Sequence, residues 1–269
     1  MFQITILFLY IISGVSFAVS RLPGVASRSR LLLGVAFVTG VAGLLYHGQT
    51  LWSLIFVDDG LSMSIGNTAS LIGLQLALIA LFGGMLQATL RGLAGGLLLL
   101  AAAAAVLTGW SSPGAATEPL SWQIQTHVLI SLFAYGLLTV GAIVALFALI
   151  QEKRLHAGRL SSINQLFSPL ETTEQLLFGI TTAGFLLLLL AVSSGLALFE
   201  NIFAQHLVHK TTLSLLALLL FGILLAGRRF AGWRGKRAVY LYLWGFVILC
   251  LAYFGSRYIL EEILGRSWN

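Results

Sequence analysis

Runs of roughly twenty apolar residues, one after another, are the feature that most limits what this chain can fold into. A helix needs about 20 such residues to cross the hydrocarbon core of a bilayer. The sequence supplies eight runs, over residues 2–19, 31–46, 68–88, 92–110, 127–151, 176–199, 211–227 and 238–260. Backbone amides and carbonyls cannot stay unpaired in lipid, so each run is either a helix or a strand of a closed barrel. The unbroken stretch 186–192 lacks the alternation a barrel strand needs. The expectation is an all-α, polytopic integral membrane protein of about eight transmembrane helices, forming a single membrane domain over residues 1–269. Charge content agrees: 9% of residues are charged, against about 25% in a soluble domain. No basic residue precedes the first run, so it reads as a permanent helix and not as a cleaved signal peptide.

Lys and Arg divide unevenly between alternate connections. One side holds Arg21, Arg28, Arg30, Arg91, Lys153, Arg154, Arg159, Arg228, Arg229, Arg234, Lys236 and Arg237; the other holds Lys210, Arg257 and Arg266. The rich side is expected to be cytoplasmic, which leaves both termini external. For a Gram-negative bacterium the location is the inner membrane with both ends in the periplasm. The net charge of +6 then belongs to connections facing anionic headgroups. The lipid bilayer is the implied partner, and no nucleic acid is needed to explain the charge.

The single Cys250 excludes an intrachain disulfide framework and reads as a small packing residue in the last span. The longest rich-side connection, 152–175, opens on Lys153, Arg154 and Arg159. Leu160, Ile163 and Phe167 share a helical spacing there, as in a short interfacial helix. Ser168, Pro169 and Glu171 form a capping box that starts the sixth helix before the membrane.

The histidines carry the chemistry. His156 falls in the basic connection, whereas His47, His127, His206 and His209 fall at external helix ends or in external loops. Imidazole binds metals and is an axial ligand of haem iron. Position alone slightly favours simple interfacial caps. Trp52, Trp110 and Trp122 lie at the same level and read either as the walls of an apolar slot or as an aromatic belt. Asp58, Asp59, Glu118 and Glu200 are external carboxylates, either solvated or cation-binding. Arg257, near the external end of the last span, reads as a snorkelling cation or as a partner for an anionic ligand.

The carboxyl third reads His209-Lys210-Thr211-Thr212-Leu213-Ser214, then Gly232-Trp233-Arg234-Gly235-Lys236-Arg237-Ala238, then Ala252-Tyr253-Phe254-Gly255-Ser256-Arg257. Upstream, His127-Val128-Leu129-Ile130-Ser131-Leu132-Phe133-Ala134-Tyr135 opens the fifth span and Asn67-Thr68-Ala69-Ser70-Leu71 the third. This ordered set resembles the cytochrome c assembly family of membrane proteins, the CcsA/CcmC/HemX group, and within it the YpjD-like inner-membrane branch. The resemblance spans nearly the whole chain. It implies haem handling at the external face, with haem b as cofactor and with other cytochrome c assembly proteins or apocytochrome c as partners. His127 matches an external haem-ligand histidine of the full-length members. The family's tryptophan-rich tract ending in Asp-Pro-Lys-Glu is replaced here by residues 201–210, which keep Lys210 and set His209 where proline would stand. The second external histidine and a histidine near Ala226-Gly227 have no counterpart. A complete haem lyase is therefore not expected.

The resulting site expectation is His127 and His209 as haem-iron ligands, with His47 in reserve. Trp110 and Trp122 would line the slot, and Lys210 and Arg257 would face the propionates. Two other readings stand beside it. One is a non-enzymatic regulatory partner, of haem synthesis or of an ion transporter, that keeps the fold without haem delivery. The other is a divalent-cation transporter, weakened by the near absence of carboxylates within the spans.

Overall fold

Each apolar run becomes a helix, because the only backbone partners available in lipid are those four residues away. The computed structural model describes residues 2–57, 60–61, 64–108, 121–156, 170–198 and 205–258. The helices are α1 (Phe2–Val19), α2 (Ser29–Ile55), α3 (Ile65–Leu86), α4 (Arg91–Val106), α5 (Trp122–His156), α6 (Leu170–Leu198), α7 (Gln205–Ala231) and α8 (Gly235–Cys250). The last continues through a π turn, Leu251–Gly255, into Ser256–Tyr258. A two-residue antiparallel pairing of Phe56–Val57 with Gly60–Leu61 closes the α2–α3 connection. Among the described residues, eight helical segments are long and apolar enough to cross a membrane. The all-α polytopic expectation holds, and the helices run further than the apolar runs. The 35 residues of α5 span about 52 Å at 1.5 Å per residue, well beyond a hydrocarbon core of about 30 Å. Phe8, Phe82, Leu219 and Trp244 are exposed, as side chains that meet lipid should be.

The chain divides into two units. The first comprises residues 1–55, 66–109 and 146–175. In it α1 packs against α2 and α4. Tyr10 and Phe17 are fully buried, and the Ser13 hydroxyl donates to the Ala36 carbonyl at 2.6 Å. Two arginines tie down one end: Arg21 Nη1 donates to the Thr89 carbonyl at 2.8 Å and Arg91 Nε to the Gly84 carbonyl at 3.4 Å. Burial first, and the neighbouring Arg91 charge second, pull the Arg21 guanidinium below its ordinary pKa. At the other end the Gln3 amide donates to the Thr108 carbonyl.

The second unit comprises residues 56–65, 110–145 and 176–269. Two tyrosine hydroxyls find backbone acceptors on partner helices. Tyr242 donates to the Leu138 carbonyl at 2.7 Å, and Tyr135 to the Leu249 carbonyl at 2.6 Å. Gly141 leaves room for the Tyr242 ring, which meets Phe221 edge-on at 5.2 Å. A buried phenol left unpaired in lipid would be costly, so these two bonds fix how α8 sits on α5.

The cationic segment 228–237 is not a ten-residue loop. Arg228 and Arg229 lie in the last turn of α7, and Lys236 and Arg237 in the first turn of α8. Only residues 232–234 connect the two helices, and Gly232 and Gly235 supply the positive φ that so short a reversal requires. Ser168 and Pro169 of the capping box and the interfacial stretch 160–167 lie outside the described residues, although α6 does begin at Leu170, with Glu171 in its first turn. Reporter fusions at Gly114 and Gly232 are expected to read opposite sides of the membrane, Gly114 external. The same side at both would overturn the alternation.

Candidate functional site

His127 lies in the first turns of α5, half-buried, with Gly195 of α6 directly against its ring. Its Nδ1 is 2.9 Å from Ser194 Oγ. Ser194 has a single hydroxyl hydrogen, and it goes to the Ala191 carbonyl at 2.9 Å. With that hydrogen on Ala191, Ser194 accepts at the histidine contact and Nδ1 is the ring donor; His127 also bonds to the Ala191 backbone. Lys210 of α7 carries its charge close enough to act on His127, and its ammonium lies 5.5 Å from the centre of the Tyr253 ring. Tyr253 and Phe254, both in the π turn, meet at 5.1 Å, and Tyr135 lies 5.8 Å from Tyr253 and 6.4 Å from Phe254. A π turn offsets the side chains that follow it, a device common at functional sites. One imidazole, one cation and three aromatic rings, from α5, α7 and the π turn, thus gather in the second unit, with Ser194 of α6 beside the imidazole.

His47 has a different environment, inside the first unit, where it is fully buried. Its Nδ1 is 3.2 Å from the Tyr10 hydroxyl and its Nε2 is 2.7 Å from Ser70 Oγ. Ser70 Oγ is 2.5 Å from Thr108 Oγ1, and Thr108 donates to the Ala105 carbonyl at 2.7 Å. With the Thr108 hydrogen on the Ala105 carbonyl, one arrangement of the rest follows. Thr108 has already used its proton, so Ser70 donates to it. Ser70 then accepts from His47 Nε2–H, and Nδ1 accepts from Tyr10. His47 is a neutral imidazole with its lone pair already bound to a phenol. To coordinate iron it would have to give up Tyr10. Replacing Tyr10 with phenylalanine orphans Nδ1 and is expected to cost about 1–3 kcal/mol, read as a lower thermal midpoint in detergent. An unchanged midpoint would mean that the network contributes nothing.

His209 is exposed and Lys210 half-buried. Adjacent residues on a helix point about 100° apart, so it is the lysine that turns towards His127. Trp122 is 72% exposed. Trp110 and the Arg257 side chain lie outside the described residues, as do the side chains of His156 and His206 and the acidic Asp58, Asp59, Glu118 and Glu200. Among the described residues no three His, Cys, Asp or Glu side chains converge as a metal cluster.

Ser194, Tyr135 and Tyr253 were not singled out as site residues from the sequence. Ser193-Ser194-Gly195 is a polar break in an otherwise apolar run, and that break was the available signal. The π turn left no signature beyond the Tyr253-Phe254-Gly255 motif itself.

A family model described as Cytochrome C assembly protein matches residues 35–264. The inner membrane protein YpjD of Escherichia coli strain K12 is 30% identical over 249 residues, covering 90% of this chain and 92% of that protein. Its counterpart in Escherichia coli O157:H7 matches to the same extent. An uncharacterized 28.8 kDa protein of Azospirillum brasilense is 29% identical over 144 residues, 53% of each chain. No solved structure matches the chain.

Proposed function

We propose, from the premise that this chain belongs to the cytochrome c assembly protein family, that it handles haem b as an accessory of cytochrome c assembly without being itself a complete haem lyase. Family membership supports a role in cytochrome c biogenesis, and the chain is a multi-pass inner-membrane protein. The observation that carries the finer reading is the hydrogen-bond state of His127. Its Nδ1–H is tied to Ser194, which orients the ring and leaves the ligating lone pair on Nε2. Histidines that bind metals are held in this way by an acceptor for the proton on the other ring nitrogen.

Haem, when bound, supplies an iron that takes axial nitrogen ligands and two propionates that need cationic partners. His127 would ligate the iron in this reading. Lys210, close to His127 and over Tyr253, neutralises a propionate. Tyr135, Tyr253 and Phe254 form an aromatic cluster that would give the macrocycle an apolar wall. Arg257, Trp110 and Trp122 are the further candidates. His209 enters as second ligand only if the surface it is exposed on is the one that receives the macrocycle. His47 is the weakest candidate, because its lone pair is taken by Tyr10. Apocytochrome c or another assembly protein is the partner in this reading.

The exposed position of His209 favours a second reading, in which the protein keeps the fold and serves as a regulatory membrane partner. Protein purified from haem-replete cells decides between the two. The haem reading expects a Soret band in the visible spectrum; a haem-free preparation leaves the regulatory reading standing.

A further inference from the structure

We propose that the turn joining α7 to α8 is a binding site for the phosphate of an anionic phospholipid headgroup. The turn is a fixed object. Trp233 donates its amide to the Gly227 carbonyl at 3.1 Å, and its indole packs flat against Gly227, where a Cβ would collide with the ring. Arg228 lies over the Phe178 ring at 4.6 Å and donates from Nη1 to the Trp233 carbonyl at 3.2 Å. It braces the turn and is not the ligand-facing group. Arg237 stacks over the Trp233 ring, its guanidinium carbon 4.2 Å from the ring centre. A guanidinium held against an indole keeps its N–H edge in one orientation, the presentation a phosphate oxygen pair accepts. Around it Arg229, Arg234 and Lys236 are exposed, and residues 228–237 contain no acidic side chain.

The occupant follows from the setting. The turn caps two membrane spans, Val208–Ala231 and Gly235–Gly255, which puts it at headgroup level. Phe230 is 86% exposed beside the cations, an apolar group facing the boundary where acyl chains begin. Tryptophan with basic neighbours at that depth is the pattern of an interfacial anchor. A soluble anion has no use for an exposed phenylalanine; a phospholipid does.

The full chain in detergent is titrated with phosphatidylglycerol, phosphatidylcholine, inorganic phosphate and polyglutamate, and stabilisation is read from the thermal midpoint. Phosphatidylglycerol is expected to stabilise and the other three are not. Arg237→Gln is expected to weaken the phosphatidylglycerol response about fivefold, one cation's share of the attraction to an anionic surface. Arg30→Gln, an exposed arginine elsewhere on the basic side, leaves the response intact. An equal response to inorganic phosphate or polyglutamate overturns the lipid assignment. Equal losses from the Arg30 and Arg237 variants, or none from Arg237→Gln, overturn the site. The lipid-free midpoint of each variant shows that it is folded before the titration is read.

Discussion

Replacing His127 with alanine is expected to remove the Soret band from protein purified out of haem-replete cells. The expectation rests on the contrast between two histidines that look alike in the sequence. His47 is fully buried and His127 half-buried, and each bonds to a serine hydroxyl. The hydrogens run in opposite senses. At His47 the chain from Thr108 through Ser70 places the proton on Nε2 and fills Nδ1 with Tyr10. At His127 the Ser194 hydroxyl is directed to Ala191, so the proton is on Nδ1 and the lone pair on Nε2. His47→Ala should therefore leave the Soret band in place while lowering the thermal midpoint, since it orphans the Tyr10 and Ser70 hydroxyls. Ser194→Ala tests the holding bond directly. Loss of the group that holds a ligand in place costs roughly ten- to a hundredfold in metal affinity, so this variant should lose haem on dilution while folding as before. His209→Ala separates one-ligand from two-ligand coordination: a shifted band means that it ligates, an unshifted one that it does not. A haem spectrum indifferent to His127→Ala would remove this histidine from the site altogether.

The spans were legible because the physics behind them is local. Lipid leaves the backbone one way to pair, so apolar runs of span length translate directly into helices. Helix ends were less legible. The α7–α8 connection looked ten residues long because Arg228, Arg229, Lys236 and Arg237 are charged, yet charge does not stop a helix. Gly232 and Gly235, which can adopt positive φ, do. The site was half legible. His127, Lys210 and the Tyr253-Phe254-Gly255 segment stood out as motifs far apart in sequence, and the second unit gathers them. What no motif conveyed is the direction of a hydrogen. Whether a histidine can offer a lone pair depends on what a neighbouring serine does with its own proton, which in turn depends on a carbonyl three residues upstream. His209 shows the same limit from the other side: adjacent to Lys210 in sequence, it occupies a different helix face.

Gly14→Leu is expected to destabilise the first unit by about 3 kcal/mol, the upper end of what overpacking usually costs. α1 and α4 approach each other through a reciprocal pair. A Cβ on Gly14 would stand 2.9 Å from the Gly95 carbonyl oxygen and 3.2 Å from the Leu98 Cβ. A Cβ on Gly95 would stand 2.8 Å from the Gly14 carbonyl oxygen. The obstructing atoms are backbone, which has no rotamer to change, so any added side chain must push the two helices apart. Within a membrane that separation is expensive: helices there associate through close van der Waals fit and not through expulsion of water, which is why small residues gather at their contacts. Tyr10 and Phe17, both on α1 and fully buried, would lose packing together with it, and the Tyr10–His47 bond would be stretched by the same movement. Gly14→Ala, with the Cβ alone, should show a smaller loss of about 1 kcal/mol. Gly34 is the control. It is exposed on α2 with nothing within 4 Å of an added Cβ, so Gly34→Ala should be neutral or stabilising by about 0.5–1 kcal/mol through backbone entropy. Thermal midpoints in detergent rank the three. If Gly14→Leu melts with the parent protein, α1 and α4 do not touch at these glycines and the packing of the first unit is wrong.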